Sequence, residues 1–319
     1  MLADGVFSGG GIKGLAFAGA LEAAAEAGYD EWDNLAGTSA GAITAMALAV
    51  GYDAAGLRAE LERFKFASIA DYGAPLGIGL TWNLVRRHAA TRGKVLHEWI
   101  RSLLKSAPHP ATRFGELGGK LQVVGTDLAH ARMVVFPRDV ALYVDEHGKP
   151  LDPDEFPIAD AVRISAGYPY FFPPLELRYG ETGKNGVLVD GGVCSTFPIF
   201  LFDVQNPKHP TWGFRLIEGP LSSGLPPHQI GGIDWPLDML SALLDTSVNA
   251  LDQLEIEQEH FKQRTIAIPT AEVPTLKFDL TKADEKYLRD SGYNTAKAFY
   301  AANPTPVNSL GEVPPSIPA

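Results

Sequence analysis

Three short strings in this chain hold residues that do chemistry. Gly37-Thr38-Ser39-Ala40-Gly41 is a G-x-S-x-G pattern. Small residues around a serine permit a very sharp strand-to-helix turn, with the hydroxyl exposed at a helix amino terminus where the dipole favours negative charge. The same residues also fit a small-residue turn with a capping serine. Upstream, Gly9-Gly10-Gly11-Ile12-Lys13-Gly14 places four glycines in six positions. Glycine costs backbone entropy, so the run implies a hard turn or a ligand lying close to its amides. It satisfies G-x-G-x-x-G, the dinucleotide fingerprint, which also calls for an acidic residue at the end of the second strand. Asp30, Glu31 and Asp33 precede that strand, which ends in the serine pattern instead. A phosphate P-loop is excluded because Gly14 and Leu15 follow Lys13. Acyl transfer needs donors for an oxyanion, each contributing roughly 2.7–4 kcal/mol. The glycine run therefore reads better as an oxyanion loop than as a phosphate cradle.

A serine nucleophile needs a base. An α/β-hydrolase places its acid and then its histidine after the serine. The eight histidines are His88, His97, His109, His130, His147, His209, His228 and His260, and none falls in a convincing late strand-end loop. Asp190 is the better candidate. It closes the apolar run Gly186–Asp190 and is followed by Gly191 and Gly192, which should hold it at the carboxyl edge of the sheet beside the serine turn. An ordinary Asp-Gly turn is the competing reading.

The elements that must position these residues follow from pattern. Residues 3–8 read as a buried strand and Leu15–Ala27 as a helix stopped by Gly28. Leu35-Ala36 lead into the serine turn, and an alanine-rich helix runs to Val50. Two successive strand-turn-helix units imply a parallel sheet covered by helices. Helical spacing recurs over 53–66, 94–105 and Leu237–Leu254, with a loop at Ala74–Trp82. Strands are expected at Leu121–Thr126, Arg132–Phe136, Gly186–Asp190, Trp212–Ile217 and Arg264–Ile268, and a proline-rich tail without regular structure from Asn303.

Composition narrows the partners. The 319 residues are 45% hydrophobic and 20% charged, with a formal net charge of −11. An acidic chain lacks the basic face that nucleic-acid binding needs, and it has no general attraction to anionic membranes. Cys194 is the one cysteine, so no internal disulfide forms. No signal peptide and no apolar run approaching the roughly 20 residues of a membrane span is present. A cytoplasmic protein is expected; non-classical secretion and transient membrane association are compatible with the same sequence. Asp127, Asp152, Asp154 and Glu155 do not match a calcium loop, and neither a metal nor a cofactor is expected.

Glycine loop, serine turn and late Asp-Gly-Gly, in that order, resemble the patatin-like phospholipase family over about Val6–Ile199. Gly125-Thr126-Asp127-Leu128 and the segment Arg163–Pro174 (RISAGYPYFFPP) match further family features. The resemblance implies a three-layer α/β/α sandwich with a mostly parallel central sheet. It implies one domain over 1–302, with the motifs in 6–199, C-terminal strands and a helix in 205–302, and a tail at 303–319. It also implies a Ser39–Asp190 dyad without histidine, an oxyanion held by the amides of Gly10 and Gly11 with Gly9 shaping the loop, and Lys13 with Gly14 steadying it. The expected reaction is hydrolysis of phospholipid or related fatty-acyl esters through an acyl-enzyme. A lysophospholipase, thioesterase or acyltransferase would use the same pair, and a lipid-binding or interaction protein dormant without an activating partner would retain it. Tyr168, Tyr170, Phe171 and Phe172 either line an acyl channel or belong to the core. The segment Trp82–Trp99, with Arg86, Arg87, Arg92 and Lys94, is either a headgroup-contacting cap or a solvated helical face. The chain departs from the family pattern at Ser8, where many members have Asp, and at Thr196, where Asn is common.

Overall fold

The computed structural model describes residues 1–71, 89–204, 207–217, 259–270, 273–275 and 277–303. The expected loop at Ala74–Trp82, the helix at Leu237–Leu254, most of the tail and the cap segment up to His88 lie outside the described residues.

The motif-bearing elements form where the pattern puts them. Strand β1 (Leu2–Phe7) enters the glycine loop and α1 (Ala16–Glu26) follows; β2 (Glu31–Thr38) turns at Ser39 into α2 (Ala40–Ala49). Then come α3 (Ala54–Arg63), α4 (Lys94–Ser106), the hairpin β3 (Leu121–Asp127) and β4 (Arg132–Phe136), and the two-residue β5 (Tyr143–Val144). Helix α5 (Ile158–Ser165), β6 (Leu175–Tyr179), β7 (Asn185–Asp190), β8 (Thr211–Ile217), β9 (Thr265–Pro269) and α6 (Lys282–Ala302) complete the set used below. Sequence reading did not anticipate β5, β6, α5 or α6.

One nine-stranded sheet runs β5-β6-β7-β3-β2-β1-β8-β9, with β4 also paired to β3. The block β3-β2-β1-β8-β9 is parallel throughout, which is why β1 is almost wholly buried and lacks polar alternation. Strands β4 and β7 run antiparallel to β3, and β5 and β6 extend that antiparallel flank. The larger core packs α1, α2, α4 and α5 against the sheet around Phe7, Phe17, Met46 and Ile100. A second cluster of Val6, Ala36, Phe197, Ile199, Phe202 and Phe261 forms from residues alternate to that core. Among the described residues, no helix is long and apolar enough to cross a membrane.

The register of β3 positions the site. One edge of β3 is taken by β4; along the other, Thr38 of β2 pairs with Val124, and Asp190 of β7 pairs with Gly125. Strands β2 and β7 thus arrive from opposite directions and meet tip to tip on the same edge of β3. Asp190 comes to the carboxyl end of β2 on a strand antiparallel to β3 that stops where β2 stops.

Candidate active site

Ser39 occupies φ 53°, ψ −120°, a conformation that side-chain-bearing residues avoid and that tertiary structure must impose. The flanking glycines explain how. A Cβ on Gly41 would fall 2.1 Å from the Phe7 carbonyl oxygen, and one on Gly37 would fall 2.3 Å from the Gly41 oxygen. Only hydrogen fits at either place, so the sharp turn and the G-x-S-x-G spacing are one requirement.

The Ser39 hydroxyl donates to Asp190 Oδ2 at 2.8 Å. Asp190 Oδ1 accepts from the Gly192 amide at 2.8 Å, and the Asp190 amide donates to the Gly167 carbonyl at 3.0 Å. The carboxyl group is buried. Burial pushes its pKa up to about 7, and the hydrogen bonds from Gly192 and Ser39 and the charge of Arg163 offset only part of that.

The glycine run lies against the serine: a Cβ on Gly9 would sit 3.5 Å from Ser39 Cβ, and one on Gly14 would sit 2.8 Å from Ala40 Cβ. The Gly9 amide is held by the Thr196 carbonyl at 2.8 Å. Gly10 and Gly11 have φ of 154° and 56°, and Gly11 opens a single 3-10 turn to Leu15. Among the described residues, no acceptor engages the Gly10 and Gly11 amides; the next two are taken, Ile12 by the Thr275 carbonyl and Lys13 by that of Gly10. Lys13 itself is buried beneath the turn.

The four aromatics divide. Phe172 is buried, 4.7 Å below the Arg163 guanidinium, and belongs to the core. Phe171 is half-buried and packs on Phe172 and Phe278. Tyr168 is half-buried, while Tyr170 is 44% exposed at φ 62°.

No described histidine side chain bonds Ser39. His97 pairs with Asp160 at 2.9 Å and His130 with Asp127 at 2.9 Å, while His209 approaches Asp33. His88 and His228 lie outside the described residues. Asp127 is fully engaged by His130, Tyr143 and the amides of Ala129 and Val187.

Two functional candidates escaped the sequence reading although the Arg163–Pro174 string contains them. Ser165, fully buried at the end of α5, accepts the Ser39 amide at 2.9 Å. Arg163, two residues earlier, is buried, and its charge acts on Asp190. The available signal was a short, mostly apolar helical stretch interrupted by Arg163 and Ser165.

Comparison with known proteins follows the same outline. A family model described as patatin-like phospholipase matches residues 5–203. The chain is 36% identical over 304 residues to the Bacillus subtilis protein YqhO, described as uncharacterized, covering 94% of this chain and 98% of that one. It is 27% identical over 265 residues to the Mycobacterium tuberculosis "Uncharacterized NTE family protein Rv2565", covering 78% of this chain but 36% of that longer protein. Among solved structures, VipD from Legionella pneumophila superposes with a TM-score of 0.57 at 17% identity, over 94% of this chain and 67% of that one.

Proposed function

This chain belongs to the patatin-like phospholipase family, and from that premise we propose that it is a serine lipid acyl hydrolase of phospholipase A type using Ser39 and Asp190. Membership supports lipid hydrolase activity; the 2.8 Å hydrogen bond from Ser39 Oγ to Asp190 Oδ2 at a strained turn carries the finer reading.

In this reading Ser39 Oγ attacks the ester carbonyl carbon as its proton passes to Asp190 Oδ2. The carbonyl oxygen becomes an oxyanion and takes the amides of Gly10 and Gly11, donors without competing acceptors among the described residues. The C–O bond breaks, the alcohol leaves with the proton from Asp190, and the fatty acyl group stays on Ser39. Water then attacks the acyl-enzyme with Asp190 as base, and the fatty acid is released. Asp190 suits both directions of transfer because its carboxyl titrates near neutrality. Tyr168, Tyr170 and Phe171 are the aromatics offered to the acyl chain, with peripheral contact at a lipid surface.

Hydrolysis of a medium-chain p-nitrophenyl ester and of phosphatidylcholine vesicles tests this directly. Ser39→Ala and Asp190→Asn are each expected to lower kcat by roughly a thousandfold or more, because the pair acts as a unit. Activity surviving in Ser39→Ala overturns the mechanism. Release of the alcohol without free fatty acid, in the presence of an acyl acceptor, identifies a transferase instead.

A further inference from the structure

Arg163 is buried, 3% exposed, on α5. Its Nε and Nη2 donate to the carbonyls of Gly93 and Pro173, each at 3.3 Å, and its Nη1 has no hydrogen-bond partner among the described residues. No described carboxylate is in ion-pair contact with it; the acidic groups whose fields reach it are Asp71 and Asp190. A buried charge without a contacting counter-charge is costly, yet the fold clears space for this one. A Cβ on Gly93 would lie 2.2 Å from Nη2, a Cβ on Gly167 would lie 3.1 Å from Nη1, and the Phe172 ring covers the guanidinium face. Burial pushes the guanidinium pKa down to about 10, so it remains a cation at neutral pH.

The niche has a direction. Gly167 lies beside Nη1, and its carbonyl accepts the Asp190 backbone amide. Arg163 is therefore linked through one residue to the backbone of the aspartate that bonds Ser39. Among the described residues, other titratable groups on or next to the elements around Asp190 include Lys13 after the glycine loop, Tyr168 after α5, Cys194 after β7, Glu176, Arg178 and Tyr179 on β6, and Asp127 on β3, already bonded to His130 and Tyr143. Of these neighbours, Arg163 is the cation whose field acts on Asp190.

Resting on the hydrolase reading above, we propose that Arg163 is a positioning residue for Asp190: its buried charge, with no carboxylate in contact among the described residues, favours the ionised carboxylate that accepts the Ser39 proton. A hydrophobic residue would fill the niche over Phe172 but leave burial opposed only by the Gly192 and Ser39 hydrogen bonds.

The test compares the parent with Arg163→Met and Arg163→Lys by two readouts. The first is the pH profile of kcat/KM on a p-nitrophenyl ester. The second, independent of turnover, is infrared titration of the Asp190 carboxyl, assigned by subtracting Asp190→Asn. Arg163→Met is expected to move the Asp190 titration and the acidic limb up together by about half a unit to one unit, and Arg163→Lys to restore both. Should Arg163→Met fail to fold, Arg163→Gln supplies a neutral comparison that keeps donors toward Gly93 and Pro173. An unmoved titration in the folded neutral variant, with only the rate reduced, overturns the proposal and leaves Arg163 a packing residue. A shifted titration in a protein whose esterase activity ignores Ser39→Ala would sustain the electrostatic role and sink the dyad instead.

Discussion

At Asp190 the balance between burial and hydrogen bonding has two measurable consequences of opposite sign. Its folded pKa of about 7 lies above the ordinary carboxyl value of 3.8. As the general base it must be ionised, so kcat/KM should fall about tenfold per pH unit below 7 and level off above it. Stability runs the other way. Below pH 4 both folded and unfolded states hold the proton and burial carries no charge penalty. Between 4 and 7 the unfolded chain releases it first, so the penalty grows, and above 7 it is complete. Asp190→Asn should therefore gain stability over the parent between pH 5 and 8, by an amount on the order of 2–4 kcal/mol. Denaturant melts at those two values check it, and an equal difference at both would mean that the carboxyl titrates normally. Ser165 poses a simpler question at the same scale. Its hydroxyl accepts the amide of a residue held at φ 53°, and Ser165→Ala leaves that amide without its partner at a cost of about 1–3 kcal/mol. We expect kcat to drop roughly tenfold with KM little changed, as when positioning of the nucleophile is lost; a change confined to KM would argue against it.

Among the elements, the packing of α6 on α1 depends on two glycines. A Cβ on Gly292 would lie 1.9 Å from the Ala16 carbonyl oxygen, and one on Gly19 would lie 2.1 Å from that of Arg289. The helices approach backbone to backbone, so Gly292→Val should lower stability by about 2–4 kcal/mol through forced separation, read as a lower Tm with esterase activity per folded molecule retained. The same feature explains why α6 was illegible in sequence. Its buried stripe is Leu288, Gly292, Ala296 and Tyr300, two large residues among small ones on an otherwise polar helix. The Thr281–Asp284 capping box marked its start without a hydrophobic pattern to follow. By contrast β1, α1, β2 and α2 were legible because glycine punctuation and continuous apolar runs coincide there. Strand β6 presents Leu175, Leu177 and Tyr179 on alternate positions, but the two leucines are only half-buried, and β5 is two residues long, so neither produces a strong period. Of the candidate site, Ser39, Asp190 and the glycine run were readable as motifs. The meeting of β2 and β7 on one edge of β3, and with it the parts of Arg163 and Ser165, depends on strand pairings and hydrogen bonds between residues far apart in the chain, which local patterns do not encode.

Over the whole molecule, the family match ends at residue 203, yet the sheet does not. Strand β8 lies directly beside β1, on the side opposite β2, and β9 lies beyond it. Trp212 and Phe214 are fully buried, with Phe214 stacked on Phe7 at 4.9 Å. The same C-terminal part reaches the glycine run: the Leu216 amide donates to Ser8 Oγ, and the Thr275 carbonyl takes the Ile12 amide. Helix α6 covers α1. Cutting the chain after Asp203 would expose the β1 edge, an aggregation-prone arrangement. It would also remove apolar side chains whose individual loss costs about 3–5 kcal/mol. That exceeds what a domain stable by 5–15 kcal/mol can lose several times over. The truncated chain should therefore be insoluble, or bind a hydrophobic dye without a cooperative melt, and lack esterase activity. A soluble, cooperatively folding 1–203 fragment that still hydrolyses the ester would show that the glycine loop holds its shape without β8 and Thr275. A fragment that folds but is inactive would confine the C-terminal contribution to the loop contacts at Ser8 and Ile12. Supplying residues 204–319 in trans separates that outcome from simple instability, because only a folded fragment can recover activity by docking β8 against β1.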